Sequence, residues 1–420
     1  MQAPAPPAAG GLLRASLTLL AGGALAQVLP LLLGPWLTRL YTPDEFGHFH
    51  LFAAIAANLA VVACARYEFA LPMVTEDAEA HALRRLSLRL LVGATLLCTV
   101  FGAAWAWRRG VGYPLALPVA VAALGGVSLA TLWANRAQRF RALAGARVLQ
   151  HGGGAGVQAL AGVAGLGLAG LIGGPIVAAL AAAVWLRMPL AHGPADQPRL
   201  GDVARRYKDF PLLNTPHAFA GALQDTLAVA LISAWLGSAE AGFWGLALRY
   251  LKAPATLVGS AVSQALYPQL TQAGPGATPA SRQAVRRLMG LLALVALPLV
   301  LGLWVLGPWA FEWLFGPAWR PAGELARALA LYIGLHFVAS PLAVVTMAWQ
   351  AQRWALKLAL VGQLAFVAAL AAGLAWGGLA GGGWAVSAAM LVYFGTYFWR
   401  LATWPVGTQG SAEAVEQSAR

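Results

Sequence analysis

Leu288-Met-Gly-Leu-Leu-Ala-Leu-Val-Ala-Leu-Pro-Leu-Val-Leu-Gly-Leu-Trp-Val-Leu306 contains no charged side chain. At about 1.5 Å per residue, a helix of that length nearly matches the ~30 Å hydrocarbon core of a bilayer. Similar runs recur along the whole chain. Of its 420 residues, 60 % are apolar and 10 % are charged, and mean hydropathy is +0.68. A soluble domain carries about 25 % charged residues because its surface must be hydrated. This chain cannot cover such a surface. The composition specifies an all-α polytopic membrane protein and excludes a soluble multidomain enzyme.

Hydropathy and Gly/Pro punctuation place twelve spans near 12–38, 46–66, 86–107, 114–134, 148–168, 169–188, 211–236, 241–265, 287–308, 326–348, 355–376 and 381–402. Glycine is so dense between Gly152 and Gly174 that the fifth hairpin is barely marked. The expected organisation is a disordered N-terminus (1–10), an N-terminal six-helix bundle (11–189), a basic cytoplasmic linker (190–210), a C-terminal six-helix bundle (211–403) and a polar cytoplasmic tail (404–420). Ala24-Leu25-Ala26 has the small-residue pattern of a leader cleavage site, but the first span has a counterpart later in the chain and reads as retained.

Net charge is +13. In a soluble protein it would suggest nucleic acid, whereas here the charge sorts by loop. With the N-terminus in the cytoplasm, the outer side receives Arg39, Arg108, Arg109, Arg320 and Arg327. Nearly all other Lys and Arg, including Arg141 and Arg147, fall on the inner side. That is the positive-inside pattern of a bacterial inner-membrane protein with both termini cytoplasmic. Attraction to anionic lipid follows from the same charge.

Two hairpins echo each other. Glu45-Phe-Gly47-His-Phe49 joins spans one and two, and Glu240-Ala-Gly242-Phe-Trp244 joins spans seven and eight, 195 residues later. An even number of spans separates them, so the halves point the same way. This describes a parallel repeat about a pseudo-two-fold axis along the membrane normal, which suits alternating access.

Enzyme motifs are nearly absent. Gly165-Leu-Gly167-Leu-Ala-Gly170 matches a dinucleotide fingerprint by letters, but no strand precedes it, and it reads as close helix packing. Cys64 and Cys98 lie in apolar segments and read as small core residues. His48 and His50 read as surface residues beside the first hairpin, and Glu68 with Arg66 as an exposed pair in preference to a coupling-ion site. No cofactor or metal is implied.

Charge within the bilayer is costly and marks function. Span eight contains Arg249 and Lys252, and the same face continues through Thr256, Ser260, Ser263 and Tyr267. Such a face must meet protein or a water-filled cavity. Asp225 of span seven lies near the depth of the two cations, with Asn214 and His217 on its own face. Gln27 in span one and Asn58 in span two complete the candidate binding set. One reading makes Asp225 a lock between spans seven and eight. It leaves a cation over, whereas an anion-binding cavity uses both, and a guanidinium suits phosphate or carboxylate.

Three stretches carry a family resemblance: Arg39-Leu-Tyr-Thr-Pro-Asp-Glu45-Phe-Gly47, Ala65-Arg66-Tyr67-Glu68-Phe-Ala-Leu-Pro72, and Tyr207-Lys-Asp-Phe210-Pro211 continuing to Gln264-Ala-Leu-Tyr267-Pro268. The chain resembles the polysaccharide-biosynthesis, Wzx-type flippases of the multidrug/oligosaccharidyl-lipid/polysaccharide exporter superfamily. The resemblance implies two six-helix bundles around a cavity lined by spans one, two, seven and eight. It also implies a polyprenyl-pyrophosphate-linked glycan as substrate and polysaccharide polymerase or assembly proteins as partners. Lipid II flippases of that superfamily typically have two further helices. Three alternatives stay open: an ion-coupled drug-type exporter, a membrane polymerase or ligase, and a non-transporting scaffold. The exporter would favour an acidic cavity for cationic drugs, and the enzyme would need a larger outer loop than 309–325.

Overall fold

A computed structural model describes residues 9–186, 198–272 and 276–406, with the side chains of 9–20 and of His217 outside the description. The expectations for residues 1–8, for 187–197, which include the first part of the 190–210 linker, and for the tail from 407 therefore lie outside the described residues. The described chain is helical, without a strand. Its helices are α1 (Ala9–Leu40), α2 (Pro43–Val62), α3 (Asp77–Arg109), α4 (Leu117–Arg136), α5 (Phe140–Val148), α6 (Gly154–Val163), α7 (Gly167–Trp185), α8 (Leu200–Arg206), α9 (Thr215–Trp235), α10 (Ser238–Gln272), α11 (Pro279–Phe315), α12 (Arg320–Ala348) and α13 (Gln352–Ala402). Helix is the natural answer for an apolar run in lipid, because it satisfies every backbone polar group within the segment.

Nine segments among the described residues are long and apolar enough to cross a membrane. One of them, α13, is two spans: Gly377 and Gly378 leave helical geometry, with Gly378 at φ +59°. Trp354 stacks on Tyr397 at 5.9 Å, and Gly373 packs on Gly381, so the two halves run antiparallel. Gly362 likewise lies under the Tyr393 ring. Two further helices correspond to the remaining expected spans. One is α10, which carries Arg249 and Lys252. The other is the continuous α5–α6 rod, joined by a π-helical turn at Leu149–Gly153.

That rod corrects the fifth span. It starts at Phe140 rather than near 148, so Arg141 and Arg147 are helical residues and not loop residues. Arg147 lies about 10 Å along the helix from its start. Hydropathy placed the boundary where the arginines end, but the helix itself extends back to Phe140. Arg139 sets the start by donating to the Leu186 carbonyl at the end of α7, 2.5 Å away.

The chain forms two compact units. The first comprises residues 1–245 with 314–318, so it includes α9 and the start of α10. Within it α2 packs along α9, α3 along α4, α1 along α5 and α6, and α6 along α7. The α6–α7 turn uses Gly165 and Gly167 at φ +71° and +52°, and Gly170 lies against Ala161 and the Tyr41 hydroxyl. The fingerprint-like glycines are thus a tight helical turn and a close helix contact. Tyr41 fixes the site by donating to the Gln158 carbonyl at 2.6 Å, while the Gln158 amide donates to the Leu171 carbonyl at 2.8 Å.

Helix α2 begins with a capping box: the Thr42 hydroxyl accepts from the Glu45 amide, and Glu45 accepts from the Thr42 amide at 2.9 Å. This places Gly47 against the backbone of Ser238 and Gly242 against the backbone of Pro43. Ser238 donates to the Asp44 carboxylate across the same junction. His50 is not a surface residue: it is half-buried, and its ring packs on Gly245. His48 stays near Asp44, its Nδ1 3.0 Å from the Asp44 carbonyl oxygen, and meets the Tyr113 ring edge-on.

At the opposite end, Arg136 donates to the carbonyls of Val74 and Thr75 and to Asp77 at 2.8 Å. Arg206 pairs with Glu79 at 2.9 Å. A 3₁₀ turn, Tyr67–Met73, joins α2 to α3 there and packs through Tyr67, Ala70 and Leu71 on Ala80, Leu83 and Leu129. Glu68 sits in this turn. It is 2 % exposed, so the expected surface pair with Arg66 is not what forms. Arg66 instead lies over the Phe69 ring, 4.1 Å from its centre.

The second unit comprises residues 246–313 and 319–420. Helix α12 is its buried centre, packed along α13. Tyr332 meets Phe366 at 5.7 Å and Phe394 at 6.4 Å, and Ser387 donates to the Ala328 carbonyl at 2.7 Å.

Candidate functional site

Helix α10 carries the polar stripe expected from sequence. Arg249 and Lys252 are half-buried, and Thr256, Ser260 and Tyr267 are exposed. The hydroxyls are largely spent on backbone. Thr256 donates to the Lys252 carbonyl at 2.9 Å and Ser260 to the Leu257 carbonyl at 2.9 Å, back-bonds that satisfy a hydroxyl inside its own helix. Ser263 donates to the Pro341 carbonyl on α12 at 3.1 Å, and Ser340 of α12 donates to the Ala255 carbonyl at 3.3 Å. Gly259 makes room for Ser340 between these two bonds. One edge of the stripe therefore binds α10 to α12. The two cations are its chemically distinct part.

No carboxylate lies near them along the chain. Between residues 246 and 402 the acidic residues are Glu312 and Glu324. Glu312 accepts from Arg320 at 2.6 Å and Glu324 from Arg327 at 3.2 Å. Both acids of α11 and α12 are thus held by arginines near the same ends of those helices.

In the first unit, Asn58 is buried and donates to the Thr226 hydroxyl at 3.2 Å. Thr226 donates in turn to the carbonyls of Ala54 and Ala222. This joins α2 to α9 one residue from Asp225, which is itself exposed. Asn214 is exposed at the end of a π-helical turn, Phe210–Asn214. Of His217 only the backbone, in the first turn of α9, is described.

Gln27 belongs to a feature that the sequence reading missed. It lines a cavity of about 250 Å³ together with Thr131, Arg147, Gln150 and His151. The walls come from α1, α4, α5 and the π-helical turn, whose extra residue per turn is a common local distortion at functional sites. A guanidinium, two amides and an imidazole around one cavity form a binding surface for an anion or a polyol. The signal was present in sequence as Arg147 and His151 at i, i+4, but it was hidden by placing Arg147 in a loop.

A family model described as "Polysaccharide biosynthesis protein" matches residues 36–324. The chain belongs to that family. The match includes both glycine hairpins, the 3₁₀ turn, the polar cavity apart from its α1 wall, and the whole of α10. No curated protein sequence matches the chain. Its fold is shared with solved membrane proteins. The lipid II flippase MurJ in an inward closed conformation aligns with TM-score 0.71 at 10 % identity, over 90 % of this chain and 87 % of that one. An inward-facing multidrug resistance MATE family transporter of the MOP superfamily aligns with TM-score 0.59 at 14 % identity, over 96 % of each chain. A MATE in complex with MaL6 aligns with TM-score 0.58 at 13 % identity, over 93 % and 95 %. The chain is a multi-pass membrane protein with the fold of flippases and transporters.

Proposed function

We propose that this chain is a flippase that moves undecaprenyl-pyrophosphate-linked oligosaccharide repeat units from the cytoplasmic to the periplasmic leaflet of the bacterial inner membrane. It would act by alternating access in O-antigen, exopolysaccharide or capsule assembly. The observation that carries this reading is the pair Arg249 and Lys252, one turn apart on α10 inside the family match. Cations at membrane depth are costly unless they meet a partner, and a pyrophosphate is a partner of the right charge. The two cations draw the headgroup. Arg147 and Gln27 supply further polar contacts, while the prenyl tail stays in lipid.

In this reading both termini are cytoplasmic and the Gly47 and Gly242 hairpins face the periplasm. The halves 11–189 and 211–403 rock about the linker 190–210, and polysaccharide polymerase or assembly proteins receive the product. The test is reconstitution in liposomes carrying a fluorescent pyrophosphate-linked oligosaccharide, with an impermeant quencher reporting leaflet exposure. Wild type should flip the lipid, and Arg249→Ala/Lys252→Ala should not. Flipping that survives in the double variant discards the site. A second reading, a small-molecule exporter, is favoured by the likeness to MATE transporters. It predicts substrate efflux without glycan-lipid flipping.

A further inference from the structure

Two carboxylates are buried among the described residues, Glu68 and Glu79. Glu79 has its cation, Arg206, at 2.9 Å. Glu68 is different. Its Oε2 is enclosed and has no hydrogen-bond partner. Ionisation is disfavoured in that position, because nothing replaces the water that Oε2 has lost. A neutral carboxylic acid is tolerated there.

The turn that holds Glu68 is under local strain. Ala65 and Arg66 precede it in the left-handed region, at φ +49° and +62°, and neither is glycine. Backbone of this kind persists where surrounding packing enforces it and is concentrated in functional and switching segments. The packing here is the contact of Tyr67, Ala70 and Leu71 with α3 and α4. The Tyr67 hydroxyl also donates to the Ala204 carbonyl on α8 at 3.2 Å. Opening the turn would relieve the strain, hydrate Glu68 and release α8.

We infer that Glu68 is a proton-binding site: its carboxylate takes up one proton from water when the 65–74 turn closes as seen here, and gives it back when the turn opens. The bond formed is the carboxylic O–H, and no other group changes oxidation or charge state. Proton binding stands independently of substrate, and only its link to turnover rests on the flippase reading, in which this turn lies at the cytoplasmic end.

The electrostatic surroundings agree. Burial raises Glu68 to about 6, against a hydrogen bond with its own backbone and the charge of Arg66, which both pull the other way. The Cys64 thiol is pushed up by burial and then by Glu68, so it stays neutral. The turn packs on α3, on α4 and on the π-helical turn Phe210–Asn214. From α3, Asp77 is held by Arg136 and Glu79 by Arg206, Arg84 lies over the Trp133 ring, and His81, Arg85 and Arg89 are the other ionisable groups of its first half. From α4 the group is Arg136, bound to backbone and Asp77. The π-helical turn contributes none.

The experiment uses the full chain in lipid nanodiscs. Infrared difference spectra across about pH 5 to 8 should show a carboxylic-acid band that titrates near 6 and is missing in Glu68→Gln. Hydrogen exchange of residues 65–74, corrected for intrinsic rates, should show protection falling about 8-fold over that range in wild type. In E68Q, which is shaped like the neutral acid, protection should be high and independent of pH. Glu68→Asp should still titrate, which separates loss of the carboxyl from loss of the fold. A titrating band that survives in E68Q, or wild-type protection that ignores pH, overturns the inference. If the band titrates as described, the inference stands whether or not any glycan lipid is flipped.

Discussion

Gly47 and Ser238 meet backbone to backbone, so that a Cβ on residue 47 would fall on the Ser238 carbonyl oxygen. Gly242 meets Pro43 in the same way. Adding the repeat offset of 195 to Pro43 and Gly47 gives Ser238 and Gly242, so each hairpin makes toward the other the contact it receives. Glycine is needed at both places because of close approach, since each sits in ordinary helix.

A side chain at either glycine should therefore break the junction. Gly47→Ala or Gly242→Ala is expected to cost about 1–3 kcal/mol, the usual range for overpacking a closed contact. Asp44→Cys/Ser238→Cys should cross-link readily in an otherwise native chain and poorly when either glycine is replaced. Unchanged cross-linking would mean that the hairpins have slack that the backbone geometry denies.

The cations of α10 should act as charges. Arg249→Gln removes a charge-assisted hydrogen bond of about 1.5–3 kcal/mol and should lower flipping at low substrate about 10- to 150-fold. Arg249→Lys should retain much of the activity if charge dominates and little if bidentate geometry does. Arg147→Gln should reduce flipping if the polar cavity contacts the headgroup. Initial rates in liposomes across substrate concentration separate binding from turnover.

Tyr41→Phe should loosen α1 from the α6–α7 hairpin. The lost bond to the Gln158 carbonyl is buried, and interhelical bonds in membranes contribute about 0.6–1.7 kcal/mol. Thermal unfolding in detergent should show a lower midpoint, with Gln158→Leu non-additive because Gln158 links Tyr41 to Leu171.

Stability should depend on pH through Glu68. In the closed turn it keeps its proton up to about 6, whereas hydrated glutamate releases near 4.5. The stabilisation is thus complete below about 4.5 and is lost as pH rises through about 6, a change of roughly 2 kcal/mol. The wild-type melting temperature should fall between about pH 5 and pH 7.5. E68Q should be flatter with pH and more stable than wild type at neutral pH. A wild-type curve with no slope in that window would remove this account.

Sequence alone determined that the chain is a membrane bundle, roughly where each span lies, and that two hairpins repeat. Those are properties of length, hydropathy and local spacing, and a run such as Leu288–Leu306 allows one answer. It also exposed Arg249 and Lys252, because a charge in such a run has no local explanation. Tertiary packing decided the rest. Glu68 and Arg66 read as a surface pair until α3 and α4 closed over the turn, and no local pattern reports burial by distant helices. Arg147 read as a loop residue until the α5–α6 rod was seen to begin at Phe140, since charge marks where a helix enters water only when the side chain actually reaches water. His50 read as exposed until Gly245 came against its ring. Periodicity and composition describe what a segment requires of its surroundings, whereas the identity of the group that meets it depends on contacts between residues far apart in the chain.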